Sequence, residues 1–454
     1  MTRHPSEPSA PLIRPRRRAH TLALVGLIAG ILLVALALAN WQGGPATQTV
    51  APSAPPMHTA VYVWQRLWTD EVDRAVRRIA RRDVTLMILA AELISSRDGL
   101  DYAAAVVHWP AVAATGRPAW LVVRAGGDLA RRLADPHDTS AAQLTALAAR
   151  QALAAARDAG VRVAGLQVDY DCPTARLGDY RRLLDELAAA LPGVPLAVTA
   201  LPTWLGSDDL PPLVRGLDHV VLQAHALERP ETVNDPVTLI DPAAALRWTR
   251  QAADLDTDYY VALPAYGYEL LFDAGGRFVG VAAEGPPPSA PAGYRIGVAM
   301  PEPETMAGLV RRLRENRPER CRGVAWFRLG LPGDRLAWPP ETLERVLDGL
   351  PPEVAFGVEA RSPEPQLLEI WIRNTGQAWP RGRIALEIIL PEGSDVTASD
   401  AVGGFSELRT DGGRRIRLSG PPPRPSDELL AAWFRLAAPL EEPVVTTQVE
   451  VVRE

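Results

Sequence analysis

The spacing of apolar positions changes three times along this 454-residue chain. Residues 21–39 (TLALVGLIAGILLVALALA) carry no charge and follow Arg14, Arg16, Arg17 and Arg18. A helix of that length spans roughly 28 Å at about 1.5 Å per residue, close to the hydrocarbon thickness of a bilayer. The basic cluster before it is expected to stay in the cytoplasm. The alternative is a cleaved signal peptide, because Ala37, Leu38 and Ala39 offer small residues at a cleavage site. The pattern therefore predicts a basic cytoplasmic tail (1–20), a transmembrane anchor or signal peptide (21–40) and a semi-rigid linker (41–58) containing Pro45, Pro52, Pro55 and Pro56. Everything beyond is expected on the periplasmic side of the inner membrane, or secreted if the segment is cleaved.

From 59 to 350 short apolar runs alternate with amphipathic, Ala/Leu/Arg-rich stretches. Strands are predicted to begin at Ala60, Val84, Ala119, Val163, Pro195, Asp218, Tyr259 and Arg322. Helices are predicted over 70–81, 140–159, 176–191, 242–253, 303–316 and 340–350. Apolar strands separated by helices pair in parallel with both sheet faces covered, and eight such units predict an α/β fold closed into a (β/α)8 barrel. A doubly wound open sheet is the runner-up, and no GxGxxG follows the first strand to support its dinucleotide-binding form. The connection 267–294 is long and contains a hairpin-like 270–281 turning at Asp273-Ala274-Gly275-Gly276, a lid over the barrel mouth or a surface insertion. After 350 the period becomes two, as in Leu368/Ile370/Ile372 and Ile384/Leu386/Ile388/Leu390, and turn signals separate the runs. That predicts a β-sandwich over 351–454, either a packing module or a wall-binding one acting through exposed aromatics such as Trp379.

Composition narrows the chemistry. All 48 basic residues are arginine, against 54 acidic ones, for a net charge of -6. Without lysine no Schiff base or Walker-type phosphate site can form, and a mildly acidic chain is not a dedicated nucleic-acid binder. Cys172 and Cys321 fall at opposite ends of the predicted barrel, beyond disulfide reach, so two free thiols are expected.

Functional residues of a parallel barrel sit at the C-terminal ends of its strands, where alternate residues point inward. A period of two read at each strand end gives Tyr62, Trp64 and Arg66, then Glu92, Arg124, Asp169 with Asp171, Thr199, Gln223 with His225, Tyr266, and Trp326 with Arg328. Asp169 and Asp171 flank Tyr170 and face the same way, roughly 6 to 7 Å apart along the strand. Two such anions in a partly desolvated mouth raise each other's pKa, which suits one of them to protonate a glycosidic oxygen. An ion pair with Arg124 or Arg66 that merely closes the barrel top is the competing reading. Asp169, Asp171, Glu92 and His225 lack the spacing of a metal-ligand motif, and no cofactor is implied. Trp64, Trp204 and Trp326 are each either core or sugar-stacking platforms.

These residues resemble family 18 chitinase-like barrels of the glycoside hydrolase superfamily. The run Ala164-Gly165-Leu166-Gln167-Val168-Asp169-Tyr170-Asp171 is similar to that family's fourth-strand Asp-Gly-x-Asp-x-Asp-x-Glu. Arg124-Ala125-Gly126-Gly127 resembles its Ser-x-Gly-Gly, Leu263-Pro264-Ala265-Tyr266-Gly267 its Pro-x-Tyr-Gly, and Gly323-Val324-Ala325-Trp326 its eighth-strand segment. Taken whole, the chain looks closer to an uncharacterised bacterial membrane-anchored family of such barrels than to true chitinases. The resemblance implies that Asp171 replaces the acid, Asp169 steadies a substrate acetamido group, Tyr266 lines the site and Trp326 floors a sugar subsite. Glu92 and His225 would assist, while Tyr62, Trp64, Arg66, Arg124, Gln167, Gln223 and Arg328 would contact substrate. The departures are Asp171 for Glu, Gln167 for a motif Asp, His225 for a sixth-strand Tyr and Tyr268 for the usual Arg. The implied function is hydrolysis of a cell-envelope or extracellular polysaccharide, or, as the alternative, non-catalytic glycan binding by a degenerate site. Whether the chain is an enzyme stays open at this point.

Overall fold

The computed structural model describes residues 56–452 apart from 97–98, 127–128, 136, 283–290 and 441–443. The expected basic tail, the apolar run at 21–39 and nearly all of the linker lie outside the described residues. Among the described residues no helix is long and apolar enough to cross a membrane.

Twelve strands precede the sandwich: β1 (His58–Val63), β2 (Thr85–Ser96), β3 (Gly99–Ala104), β4 (Ala119–Ala125), β5 (Val163–Asp169), β6 (Leu196–Ala200), β7 (His219–Gln223), β8 (Asp258–Pro264), β9 (Tyr268–Phe272), β10 (Phe278–Ala282), β11 (Arg295–Ala299) and β12 (Cys321–Phe327). Eight of them, β1, β2, β4, β5, β6, β7, β8 and β12, pair in parallel, and β1 closes the ring by bonding both β2 and β12. Helices α1 (Asp70–Ile79), α2 (Trp109–Ala113), α3 (Leu129–Leu133), α4 (Ser140–Asp158), α5 (Leu177–Ala190), α6 (Leu210–Val214), α7 (Pro242–Ala252), α8 (Pro303–Glu315) and α9 (Pro340–Leu347) are interspersed among the strands. This is a (β/α)8 barrel, and each expected strand start lies within two residues of the observed one. Local chemistry sets the elements. In α7, Pro242 occupies the first turn and the Asp241 carboxylate caps the Ala243 amide at 2.8 Å. Along α4 the residues turned toward the sheet are mostly alanines, among them Ala141, Ala142, Ala146, Ala149 and Ala156, whose small side chains let the helix approach closely.

Strand residues divide by parity into two cores. Val61, Ile88, Leu121, Leu166, Val198, Leu222, Val261 and Val324 pack outward against the helices. Ala60, Tyr62, Met87, Leu89, Val122, Ala197, Val221, Ala262 and Ala325 fill the interior. At the closed end the His219 ring sits 4.5 Å from Trp120 and 5.2 Å from Tyr260. Beside it Arg322 bridges Asp218 and Asp258. Gly165 makes room for that plug, since a Cβ there would lie 2.4 Å from the Trp120 ring.

One feature lies outside the sequence expectations and another extends one of them. Strand β2 runs well past the ring and folds back as an antiparallel hairpin with β3. The long connection after β8 becomes a three-stranded antiparallel sheet, β9 between β10 and β11, which includes the expected hairpin.

The last hundred residues form two antiparallel sheets from β13 (Phe356–Glu364), β14 (Leu367–Asn374), β15 (Arg383–Ile389), β16 (Val396–Ala401), β17 (Ser406–Thr410), β18 (Arg415–Gly420), β19 (Glu428–Leu436), β20 (Val445–Thr446) and β21 (Glu450–Val452). One sheet has the order β13-β14-β19-β16. The other has β17-β18-β15-β20, with β21 also on β15. The alternating Leu368/Ile370/Ile372 and Ile384/Leu386/Ile388 meet in one core between them. The sandwich is tied to the barrel by Arg424, which donates to the Asp334 carbonyl at 2.7 Å, and by Thr342, which donates to the Gln377 carbonyl at 2.5 Å. Trp379 is engaged in that junction: Arg424 lies 4.5 Å over its ring, and its indole N–H donates to the Pro422 carbonyl.

Candidate active site

The C-terminal ends of the barrel strands surround a cavity of about 340 Å³. Of the residues expected there, Tyr62, Trp64, Arg124, Asp169, Asp171, Gln223, His225, Tyr266 and Arg328 line it, together with Thr199. Its floor is a buried polar chain. The Tyr62 hydroxyl donates to Gln167 Oε1 at 3.0 Å, and Gln167 Nε2 donates to Thr199 Oγ1 at 2.8 Å. Gln167 is wholly buried beneath the lining. A neutral amide accounts for this arrangement, because it satisfies a phenol and a hydroxyl at once without placing a charge in the barrel interior.

Strand β5 brings Asp169 and Asp171 to one side, while Tyr170 between them turns outward into the helix layer. Burial raises the Asp169 carboxyl to about 6; the Thr199 hydroxyl opposes that rise, the Asp171 charge adds to it, and Arg124 works against it. Burial likewise raises Asp171, with Arg124 pulling the other way. Asp171 accepts no hydrogen bond from the described residues. His225 is buried, and desolvation drops its pKa to about 4, so the ring is neutral at physiological pH. Its Nδ1 lies 3.3 Å from the Ala262 carbonyl, which can only accept, so Nδ1 carries the proton and Nε2 is left as an acceptor. The Tyr266 and Tyr268 hydroxyls are 2.7 Å apart.

Trp326 requires a correction. It faces away from the cavity, fully buried in the helix-side core and 5.9 Å from Trp338. The inward residue is Phe327, whose ring contacts Trp64 at 4.8 Å, Tyr266 at 5.1 Å and Tyr62 at 5.5 Å. A bulge in β12 sets Cys321 and Gly323 against Tyr259 and Tyr260, and a one-residue slip turns every later side chain to the other face. Trp204 is also core: it is fully buried and its indole N–H donates to the Cys172 carbonyl at 2.9 Å.

Glu92 and Arg66 stand outside this cavity. A bulge between Leu89 and Ala91 brings Glu92 into register with Arg124, where it is bound by Arg124 at 3.3 Å and clasped by Arg66. Arg66 lines a neighbouring cavity instead. Three lining residues were not singled out in the sequence for this purpose: Phe327, Val221 and Ala262, with Tyr268 noted only as a departure from a motif. Parity counted from Val324 turns Phe327 inward, whereas counted from Cys321 it turns Trp326 inward, and the bulge between them decides. Tyr268 has no strand-end signal, since it comes from the inserted sheet. Cys172 and Cys321 are separate buried thiols. Among the described residues no group of three His, Cys, Asp or Glu side chains is placed to hold a metal ion.

Residues 115–332, which supply β4 to β12, match a family model described as a domain of unknown function, DUF3142. Among solved structures, the chain is similar to the Bacillus cereus spore cortex-lytic enzyme SleL, with 14% identity over 65% of this chain and 74% of that one, at a TM-score of 0.45. It is similar to a chitinase from Chromobacterium violaceum with 15% identity over 65% and 99%, at 0.41. For a class V chitinase from Nicotiana tobaccum the figures are 14% identity, 64% and 98%, at 0.42. No curated protein matches.

Proposed function

We propose that this protein is a glycosidase-type barrel that cleaves a cell-envelope or extracellular polysaccharide, held at the inner membrane by residues 21–39 with its folded part outside. The observation that carries the reading is the Asp169 and Asp171 pair, two carboxyls from one strand end, both raised above the ordinary aspartate range, in an aromatic-walled cavity at the barrel mouth. Protonated Asp171 gives its proton to the glycosidic oxygen as the bond from that oxygen to C1 breaks, and the bonding electron pair leaves with the oxygen. Ionised Asp169 stabilises the positive charge that develops at C1; a water oxygen then bonds to C1 and its released proton returns to the Asp171 carboxylate. Arg124 keeps the pair from both remaining neutral, because its charge favours the carboxylate form of each. The free state of Asp171 supports its role, since an acid already bonded to protein would have to break that bond first.

The test is reducing-end release by the full-length protein on a panel of N-acetylated and plain polysaccharides. Asp171→Asn should lower release by about 100-fold or more. Binding without release from any polysaccharide would replace the hydrolase with a glycan-binding protein.

A further inference from the structure

Trp64 and Arg328 belong to two cavities at once, the one just described and a second of about 390 Å³ bounded by Arg66, Leu331 and Arg335. Arg328 forms part of the wall they share and is only 8% exposed. Its Nη1 donates to Asp334 Oδ2 at 2.8 Å, its one hydrogen bond to a described residue. A guanidinium has five N–H groups. The donors that Asp334 leaves unused lie on the walls of the two cavities, where a ligand can take them up. Neighbouring arginines are differently placed. Arg66 is engaged by Glu92, and Arg335 lies 2.8 Å from the buried Glu269.

Arg328 is also held firmly in position. Asp334 accepts from the Leu336 amide at 3.0 Å through its other carboxylate oxygen, and its backbone carbonyl is gripped by Arg424 of the sandwich at 2.7 Å. The loop carrying Asp334 is stitched to the end of β8 by the Gly267 amide, which donates to the Leu336 carbonyl at 2.8 Å. A planar, buried, preorganised fork with unused donors matches a carboxylate, which accepts two parallel N–H bonds, better than it matches a neutral hydroxyl. The carboxylates of the first cavity, Asp169 and Asp171, sit beside Arg124, whose charge offsets theirs.

We propose that the double cavity selects an acidic saccharide, a uronic-acid-containing chain whose carboxylate pairs with Arg328 beside Trp64. This rests on the glycosidase-type reading of the same site and names its substrate class.

The experiment is titration calorimetry of the full-length protein with hexamers of galacturonate and of hyaluronan, each beside its carboxyl-reduced, neutral counterpart of the same length and linkage. The expected result is that at least one acidic hexamer binds about tenfold or more tightly than its reduced form, as for a hydrogen bond to a charged group. Arg328→Gln should erase that difference, and Arg328→Lys, which keeps the charge without the fork, should retain part of it. Thermal melts establish that each variant is folded, and if the glutamine variant is not, the lysine variant decides. Equal binding of acidic and reduced hexamers overturns this proposal and leaves the glycosidase reading standing. A preference for the acid that is unchanged in a folded Arg328 variant also overturns it. Failure to bind any saccharide, acidic or neutral, removes both.

Discussion

Replacing Asp169 with asparagine should stabilise this protein at neutral pH, and the size of the gain follows from the carboxyl's surroundings. In the native barrel Asp169 titrates near 6, against an ordinary value of 3.8, chiefly because burial disfavours its charge. The folded state therefore holds the proton more tightly than the unfolded chain does. Its contribution to stability is complete below pH 3.8, is lost as pH rises from there through 6, and stays lost above. A gap between about 6 and 3.8, at about 1.36 kcal/mol for each tenfold, is worth about 3 kcal/mol at pH 7.5. Asparagine has nearly the same shape, keeps an acceptor oxygen for Thr199 and carries no charge, so most of that penalty should disappear. Asp218, held low by His219 and Arg322, acts in the opposite sense, its stabilisation being lost as pH falls below 3.8. The informative quantity is thus the difference between the variant and the natural chain rather than either curve alone. Urea titrations followed by tryptophan fluorescence at pH 4, 5, 6 and 7.5 would give that difference. It should be near zero at pH 4 and grow to about 1.5 to 3 kcal/mol in favour of Asp169→Asn at pH 7.5. A difference that does not change with pH, or a variant less stable at pH 7.5, would refute the idea that the site holds a carboxyl against its preference for water. Such a group is what a catalytic or binding site retains at the expense of stability.

Two further outcomes test the site's construction. Trp326→Ala should lower unfolding free energy by about 3 to 5 kcal/mol, as expected for emptying a packed core position. Trp326→Phe should leave saccharide affinity unchanged, and a large drop in affinity with the fold intact would put that ring back in the site. Gln167→Leu strands the Tyr62 and Thr199 hydroxyls in the barrel interior and should cost about 2 to 6 kcal/mol by denaturation, from about 1 to 3 for each orphaned group. A loss below about 0.5 kcal/mol would mean that the polar chain on the cavity floor is not structural.

Much of this molecule was written in its periodicity. Eight apolar runs separated by amphipathic stretches leave few ways to cover both faces of the strands, a barrel first among them and a doubly wound sheet second, and the pairing of β1 with both β2 and β12 closes the barrel. The change from helical spacing to a period of two near residue 351 likewise announced the sandwich. Asp169 and Asp171 were legible because β5 ends on Asp169 and Asp171 follows on the same parity, with Tyr170 between them going to the opposite face. Local pattern decides such features, since the side on which a residue emerges is fixed by its immediate neighbours.

Tertiary structure decided the rest. Whether Trp326 or Phe327 faces the cavity depends on the bulge at Cys321 to Gly323, which exists only in the pairing of β12 with β8. The tie between Glu92 and Arg124 depends on another bulge, in the pairing of β2 with β4. Tyr268 reaches the mouth from a sheet inserted after β8, and Arg424 reaches the loop beside Arg328 from a separate sandwich almost a hundred residues onward. A single strand's pattern encodes which face is apolar, but register, bulges and the meeting of distant charged groups are set by energies between segments, and those come into being only when the chain has closed on itself.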